Sequence, residues 1–365
     1  MRIAASAPGR VNLIGEHTDY NGGLVLPMAI NRRTEVVADV RGDQTFSLRS
    51  THLDECVEFT IADLTASMDR LPTWARYGAG TLWALDQDGV AIPGLDLTVS
   101  TTVPLGAGLS SSASFELAVG AAALHAASLR LDNDGRDMLV RAGIRAENDA
   151  VGAPTGGMDQ TVVAHARAGY ALLIDFADRT RTPVPVAIDP QVVLVTDTGA
   201  HHSLADGGYG NRRSECERAA AALGVATLSQ ATLQAAESLP DDVLRRRARH
   251  VITENHRVRE AVAALGSGDL DALGRAWVAS HRSLAADFEV SCAELDTAVA
   301  AALSAGAVGA RMTGGGFGGS IVSLVPKDSV ERVSSAIDAA FDARGWDPAD
   351  HFAVEPSHGV TSQVL

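Results

Sequence analysis

Strand-like and helix-like tracts run in blocks along this chain rather than in alternation, which limits its fold more than any other feature. Tracts rich in Val, Leu, Ile and Thr predict strands at 24–30, 34–40, 45–49, 57–61 and 95–101. An Ala-rich stretch with apolar residues at helical spacing predicts a helix over 110–130, and 136–151 reads as a second, ending at the Gly152/Pro154 stop. Two strands follow, at 170–176 and 191–197. From 212 to 303 the chain turns helical, most clearly at 243–265, 270–288 and 292–303. A strand at 321–325 and a helix at 330–344 complete the pattern. Strands with segregated helices in each half predict an α+β fold rather than a βαβ repeat. The change of composition near residue 190 divides the 365 residues into a first lobe, 1–190, and a second, 191–365.

Charge and cysteine usage narrow the function. A net charge of -15 argues against a nucleic-acid or anionic-membrane surface, so an anionic substrate must be drawn by a local site. Cys56, Cys216 and Cys292 are far apart and form no CxxC pair, which gives neither a disulfide framework nor a zinc site. The start, MRIAASAPGR, lacks the apolar core of a secretory leader, and no uncharged run reaches the ~18 residues needed to span a bilayer. A cytoplasmic, monomeric protein is expected.

Three segments call for a chemical explanation. Ala7 to Gly23 (APGRVNLIGEHTDYNGG) sets Arg10, Glu16, His17, Thr18 and Asp19 among turn formers, where they could supply hydrogen bonds to a polyhydroxy ligand. A polar β-turn fits the same residues. Pro104 to Ser114 (PLGAGLSSSAS) precedes the Ala-rich helix. Its glycines allow close backbone approach to a phosphate, and the helix start offers unpaired N–H groups and a positive dipole. It is neither a Walker A loop, having no Lys after the last glycine, nor a dinucleotide fingerprint, lacking a third glycine. A serine-capped helix after a glycine turn is the plainer reading, and it accounts for one serine but not three. Met312 to Ser320 (MTGGGFGGS) joins a helix to a strand, which favours close approach to a ligand or to another loop over a linker.

Smaller features complete the set. Gly156-Gly157-Met158-Asp159-Gln160 places one carboxylate after a glycine turn, where an N-cap is the ordinary role, and Glu147 lies twelve residues upstream. His201-His202-Ser203 and Tyr209-Gly210-Asn211-Arg212-Arg213 mix basic and aromatic groups at a helix start. Arg245 to Arg247 with Arg249 reads as a solvated helix face.

Taken in order, these segments resemble the galactokinases of the GHMP small-molecule kinase superfamily. PGRVNLIGEHTDYNGG is similar to the galactokinase signature, PLGAGLSSSAS to the phosphate-binding motif and TGGGFGGS to the third motif; AENDAVGAPTGGMDQ, HSLADGGYGNRRSEC and PSHGV look like further galactokinase segments. The resemblance implies a two-lobed α+β fold with its site in the cleft, and transfer of the ATP γ-phosphate to the C1 hydroxyl of galactose with magnesium. It also implies roles. Asp159 would act beside that hydroxyl as base or orienter, and Arg10 would stabilise the charge on the transferred group. Glu16, His17, Thr18, Asp19, Gly157 and Tyr209 would bind the sugar. Gly106, Ala107, Gly108, Leu109, Ser110, Ser111 and Ser112 would wrap the ATP phosphates, with Ser112 and Glu147 holding magnesium.

Overall fold

The structure is a computed structural model that describes residues 1–365 apart from Pro154 and residues 201–206. The paired histidines of the sequence reading, His201 and His202, lie outside the described residues. The chain opens with β1 (Arg2–Asn12), a two-residue β2 (Leu24–Val25), β3 (Pro27–Val40), β4 (Thr45–Ser50) and β5 (Glu55–Thr60). Helices α1 (Ile61–Ser67) and α2 (Thr73–Gln87) lead to β6 (Leu95–Thr101). Then come α3 (Ser111–Ala126), α4 (Asn133–Arg145) and α5 (Met158–His165). The hairpin β7 (Tyr170–Asp175) and β8 (Thr180–Pro185) precedes β9 (Gln191–Asp197). The helical block comprises α6 (Gly208–Leu223), α7 (Leu233–Glu237), α8 (Asp242–Ser267), α9 (Leu270–Ser283) and α10 (Ala293–Ser304). It is followed by β10 (Gly309–Met312), β11 (Ser320–Pro326), α11 (Val330–Asp342), β12 (Asp350–Val354) and β13 (Thr361–Val364).

These elements make an α+β fold of two lobes. A six-stranded sheet, ordered β13-β1-β3-β6-β4-β5, carries the first, and a four-stranded sheet, β10-β11-β9-β12, the second; β2, β7 and β8 form a small third sheet. In the first lobe Ile3, Val36, Leu48 and Leu97 of the sheet pack on Leu82 of α2 and Leu117 of α3. In the second, Leu194, Ile321, Val251, Ile337 and Phe341 form a separate core. A third cluster joins the lobes: Val11, Leu13 and Met28 meet Val258 of α8, Trp277 of α9 and Leu324. The cleft is therefore held by apolar packing behind it, which fixes the distance between the groups on its two walls.

Several expectations are corrected. The tracts at 24–30 and 34–40 are mostly one strand, because β3 runs unbroken through Asn31 to Arg33 while pairing with β1. That partner strand was read as turn; Pro8 and Gly9 sit at its register shift. Helix α2 was not foreseen, since Gly78 and Gly80 weaken helix propensity. Gly80 is explained by packing: a Cβ there would lie 2.7 Å from the Ala150 Cβ. The arginines 245–249 are not all solvated. Arg247 is 2% exposed and donates to Glu215 (2.7 Å), Glu289 (2.7 Å) and the Asp287 carbonyl (2.6 Å).

Candidate active site

Two charged residues from distant parts of the chain meet in the cleft. The register shift in β1 between Pro8 and Arg10 turns the Arg10 side chain inward, where it is 5% exposed. Its Nε and Nη2 donate to the two Asp159 oxygens, both at 2.8 Å, and Nη1 donates to the Gly108 carbonyl. A fork of this kind fixes the carboxylate's plane as well as its position. Asp159 is not an N-cap. That place belongs to Gly157, at φ 93°, and Asp159 lies in the first turn of α5, where the helix dipole favours its charge. Its side chain is 21% exposed, so it is reachable from the cleft.

The phosphate-type loop abuts this pair. Ser110 precedes α3 in a left-handed conformation (φ 59°, ψ 46°) and makes no capping bond. Its hydroxyl donates to Asp159 instead, so the serine-cap alternative does not account for this serine. Arg10, Asp159 and Ser110 thus form one hydrogen-bonded group. Ser112 Oγ donates to Glu147 Oε1 at 2.8 Å. Glu147 lies in a π-helical turn, 146–151, that extends α4. Burial, with repulsion from Asp159, pushes its carboxyl up to about 6. Ala107 and Leu109 turn their side chains into the core, so only their backbone can meet a ligand.

The third glycine segment approaches another loop, the second of the two expected outcomes. Ser320 Oγ donates to the Ala107 carbonyl (2.7 Å), and Thr313 Oγ1 accepts the Asn12 N–H (3.0 Å). Gly314, at φ 86°, passes so near the phosphate-type loop that a Cβ would stand 2.9 Å from the Gly108 carbonyl oxygen. The segment backs that loop from behind.

Around Asp159 the first segment supplies a second wall. His17 is 5% exposed and held at both nitrogens, by the Tyr20 hydroxyl (2.9 Å) and the Gly315 carbonyl (3.1 Å). A carbonyl only accepts, so Nε2 carries the proton and Nδ1 accepts from Tyr20. Burial, with repulsion from His250, lowers the imidazole to about 3, so it is neutral. Its ring packs on Tyr209 (5.3 Å) and Phe288 (4.7 Å). Glu16 turns inward to Arg311 and accepts the Gly314 N–H at 3.2 Å. Thr18 is fully buried and its hydroxyl reaches the Leu24 (2.6 Å) and Gly15 (2.8 Å) carbonyls. The Thr18 hydroxyl is thus engaged in the interior. Asp19 stands against Gly156, and burial, reinforced by Asp159, raises it to about 6. Tyr209, at the start of α6, is kept protonated by burial, and it interacts with both Asp19 and Asp159. Asp19, Tyr209 and Asp159 therefore face one small polar region.

Sequence reasoning missed the neighbouring groove. An apolar groove lined by His52, Leu53, Trp74, Tyr77 and Phe115 also touches Ser111 and Ser112. Trp74 and Tyr77, three apart on α2, were the available signal, hidden while α2 itself was unread. A flat apolar slot beside a helix start suits a heteroaromatic ring attached to phosphates.

Comparison with known proteins agrees with this geometry. The galactokinase galactose-binding signature matches residues 2–40, the GHMP kinases N terminal domain matches 76–167 and the GHMP kinases C terminal domain matches 261–343. A galactokinase of Streptomyces coelicolor is 45% identical over 98% of this chain and 94% of its own length. One from Mycobacterium tuberculosis is 42% identical over 95% of each. The crystal structure of Lactococcus lactis galactokinase complexed with galactose superposes with a TM-score of 0.92 at 32% identity, covering 99% of this chain and 95% of that one. A mevalonate kinase shares the fold at a TM-score of 0.70 and 16% identity. With Arg10 and Asp159 paired beside the phosphate-type loop and these relatives matched over nearly their whole length, the chain belongs to the galactokinase family of the GHMP kinases.

Proposed function

We propose that this protein transfers the γ-phosphoryl group of ATP to the C1 hydroxyl of galactose, with Asp159 and Arg10 as its catalytic residues. The bidentate pair beside the start of α3 carries this reading, because it sets a proton acceptor and a fixed cation where a hydroxyl and a phosphoryl group would meet. Phosphoryl transfer passes through a loose transition state, so positioning and charge neutralisation do most of the work. Asp159 orients the hydroxyl and takes its proton late, as bonding to phosphorus acidifies it. Arg10, always charged, faces the developing negative charge. The aromatic groove receives the adenine, and the backbone from Gly106 to Ser112, the last three residues with their hydroxyls, receives the phosphates.

The residues present fit magnesium. Among the described residues no three of His, Cys, Asp and Glu form a metal cage, which suits an ion bound through one carboxylate and substrate phosphates. Glu147 and Ser112 already touch, and a carboxylate whose charge is disfavoured by burial and by Asp159 gains by meeting a cation. Glu147 and Ser112 would hold magnesium there, and the ion would supply charge neutralisation to the phosphates. The three cysteines are unpaired and no described helix is long and apolar enough to cross a membrane; a cytoplasmic place for the reaction fits both. One chain supplies both walls of the cleft, which supports a working monomer.

Sugar binding falls to Asp19, Tyr209, His17 and the Gly157 backbone, with Glu16 behind them. The test is ADP release with ATP and magnesium across galactose, glucose, arabinose, galactosamine and N-acetylgalactosamine. Selective turnover of galactose to a sugar 1-phosphate is expected. Turnover of another sugar moves the specificity, and binding of galactose without turnover makes the protein a sensor.

The position of Asp19 makes sugar binding depend on pH. Its carboxyl is raised above the ordinary aspartate value to about 6, so it is ionised and accepting above that pH and protonated below it. Galactose affinity, read by calorimetry without nucleotide so that Glu147 is silent, is expected to fall about tenfold per unit below that value. A flat profile from pH 8 to 5 would remove Asp19 from the sugar contacts.

A further inference from the structure

Two fully buried charged residues have no part in the chemistry above. Arg311 lies on β10 and Glu254 on α8, each 0% exposed. Arg311 donates to the Asn12 (3.1 Å) and Leu13 (3.2 Å) carbonyls, to Ser280 Oγ (3.3 Å) and to the Glu16 carboxylate. Glu254 Oε1 accepts the Gly15 N–H (3.0 Å) and the Ser280 hydroxyl (2.6 Å), and its Oε2 accepts Arg257 Nε (2.7 Å). Burial would raise Glu254, but Arg257, His250 and Arg311 outweigh it and hold the carboxyl at about 2. Beside them, His250 Nε2 donates to the Glu16 carbonyl (3.1 Å) and Asn255 Oδ1 accepts the Leu24 N–H (2.7 Å).

The bonds to Ser280 and Arg257 brace the two buried charges within the second lobe, while those to Asn12, Leu13, Gly15, Glu16 and Leu24 all run from the second lobe to residues 12–24 of the first. That stretch begins two residues after Arg10 and contains Glu16, His17 and Asp19. Between leaving β1 at Asn12 and rejoining a sheet at Leu24, it bonds through its own backbone from Leu13 and Ile14 to Leu26 and in the turn at Thr18 and Asp19, and none of those bonds holds the Gly15 N–H or the Glu16 carbonyl. Taking charges out of water is costly, and apolar residues of the same shape would often fill such a space as stably. Apolar side chains could not direct the Asn12, Leu13 and Glu16 carbonyls or the Gly15 and Leu24 N–H groups.

We infer that Arg311 and Glu254 are positioning residues for sugar recognition: from the second lobe they hold the 12–24 loop in the shape that presents His17 and Asp19 to the sugar. The inference rests on the reading of those residues as sugar contacts. It predicts a split, since the groove at Trp74, Tyr77 and Phe115 touches neither residue.

Arg311→Met and Glu254→Gln are compared with the wild type. Each is expected to raise the galactose KM by about tenfold or more, from misplacement of the loop, and to leave the ATP KM within about twofold. Hydrogen exchange, which needs no activity, is expected to quicken in peptides covering 13–24 and not in those covering 105–114. An unchanged galactose KM in a folded variant, or an equal rise in both KM values, overturns the inference. Unchanged exchange of the loop does so as well. Should Arg311→Met fail to fold, Glu254→Gln, which is isosteric, decides by the same readings. If the wild type does not phosphorylate galactose, the functional reading fails separately and exchange still decides whether these residues hold the loop.

Discussion

Asp159→Asn is expected to lower kcat by about 10²- to 10⁴-fold, the range that a positioned proton acceptor contributes, and to leave the ATP KM nearly unchanged. The amide has the size of the carboxylate and keeps one oxygen for the Arg10 fork, so the cleft should hold its shape. Two things are lost: an acceptor for the sugar proton and the charge that balances Arg10. The nucleotide groove lies on the other side of Ser111 and Ser112 and has no contact with this change. Steady-state kinetics with both substrates, together with displacement of a fluorescent nucleotide, measure the two effects separately. A variant with ordinary kcat would remove Asp159 from the chemistry.

Arg10→Met should be as damaging to turnover and more damaging to the fold. Removing a preorganised charge from the site of a developing anion costs about 10²- to 10³-fold in kcat. Here the same side chain also makes three hydrogen bonds, two to Asp159 and one to the Gly108 carbonyl. Without it, Asp159 stays charged and mostly buried, and breaking such a pair from one side costs about 3 kcal/mol. A lowered Tm is therefore expected in both variants, with the smaller loss in Asp159→Asn, which leaves Arg10 without its counter-charge but keeps an oxygen for its fork. The double variant should be less unstable than the two losses added together, because the orphaned charge is then gone. Strict additivity in Tm-derived free energies would show that the pair is not coupled.

Much of the fold was legible, and the reasons for the gaps are local. β6 and β9 follow their Val, Leu and Thr content, and α3 could be read because its apolar residues surround nearly the whole helix. β1 was hidden because Ala, Ser, Pro and Gly occupy most of its length, and its identity as a strand comes from pairing with β3 and β13 rather than from propensity. The π-helical turns at 146–151 and 284–288 follow α4 and α9 so smoothly that one periodic tract covers each pair.

The candidate site was legible to a similar degree. Motif order pointed to Arg10, Asp159, Ser112 and Glu147, and the structure brings them together in two contacting pairs. Composition could not say which polar residues of a dense segment face outward. Thr18 and Asp19 are adjacent, yet one spends its hydroxyl on carbonyls in the interior while the other borders the cleft. Arg247 was misjudged for the same reason: a run of arginines on a helix looks solvated until the acidic partners Glu215 and Glu289, far along the chain, are known.

The return of β13 to the edge of β1 has a consequence for how the protein is made. Ile3 pairs with Val364 and Ser6 with Thr361, so the strand that carries Arg10 has its outer side covered by residues translated long after it. During synthesis that edge is open while the rest of the sheet can already form, and an open edge is a template for pairing between nascent chains. Such distant closure also slows folding, because loop entropy must be overcome before the contact rewards it. The arginine's strand thus reaches its final setting only after residues 361–364 have been made, and a chain stalled short of residue 361 should be more prone to self-association than to activity.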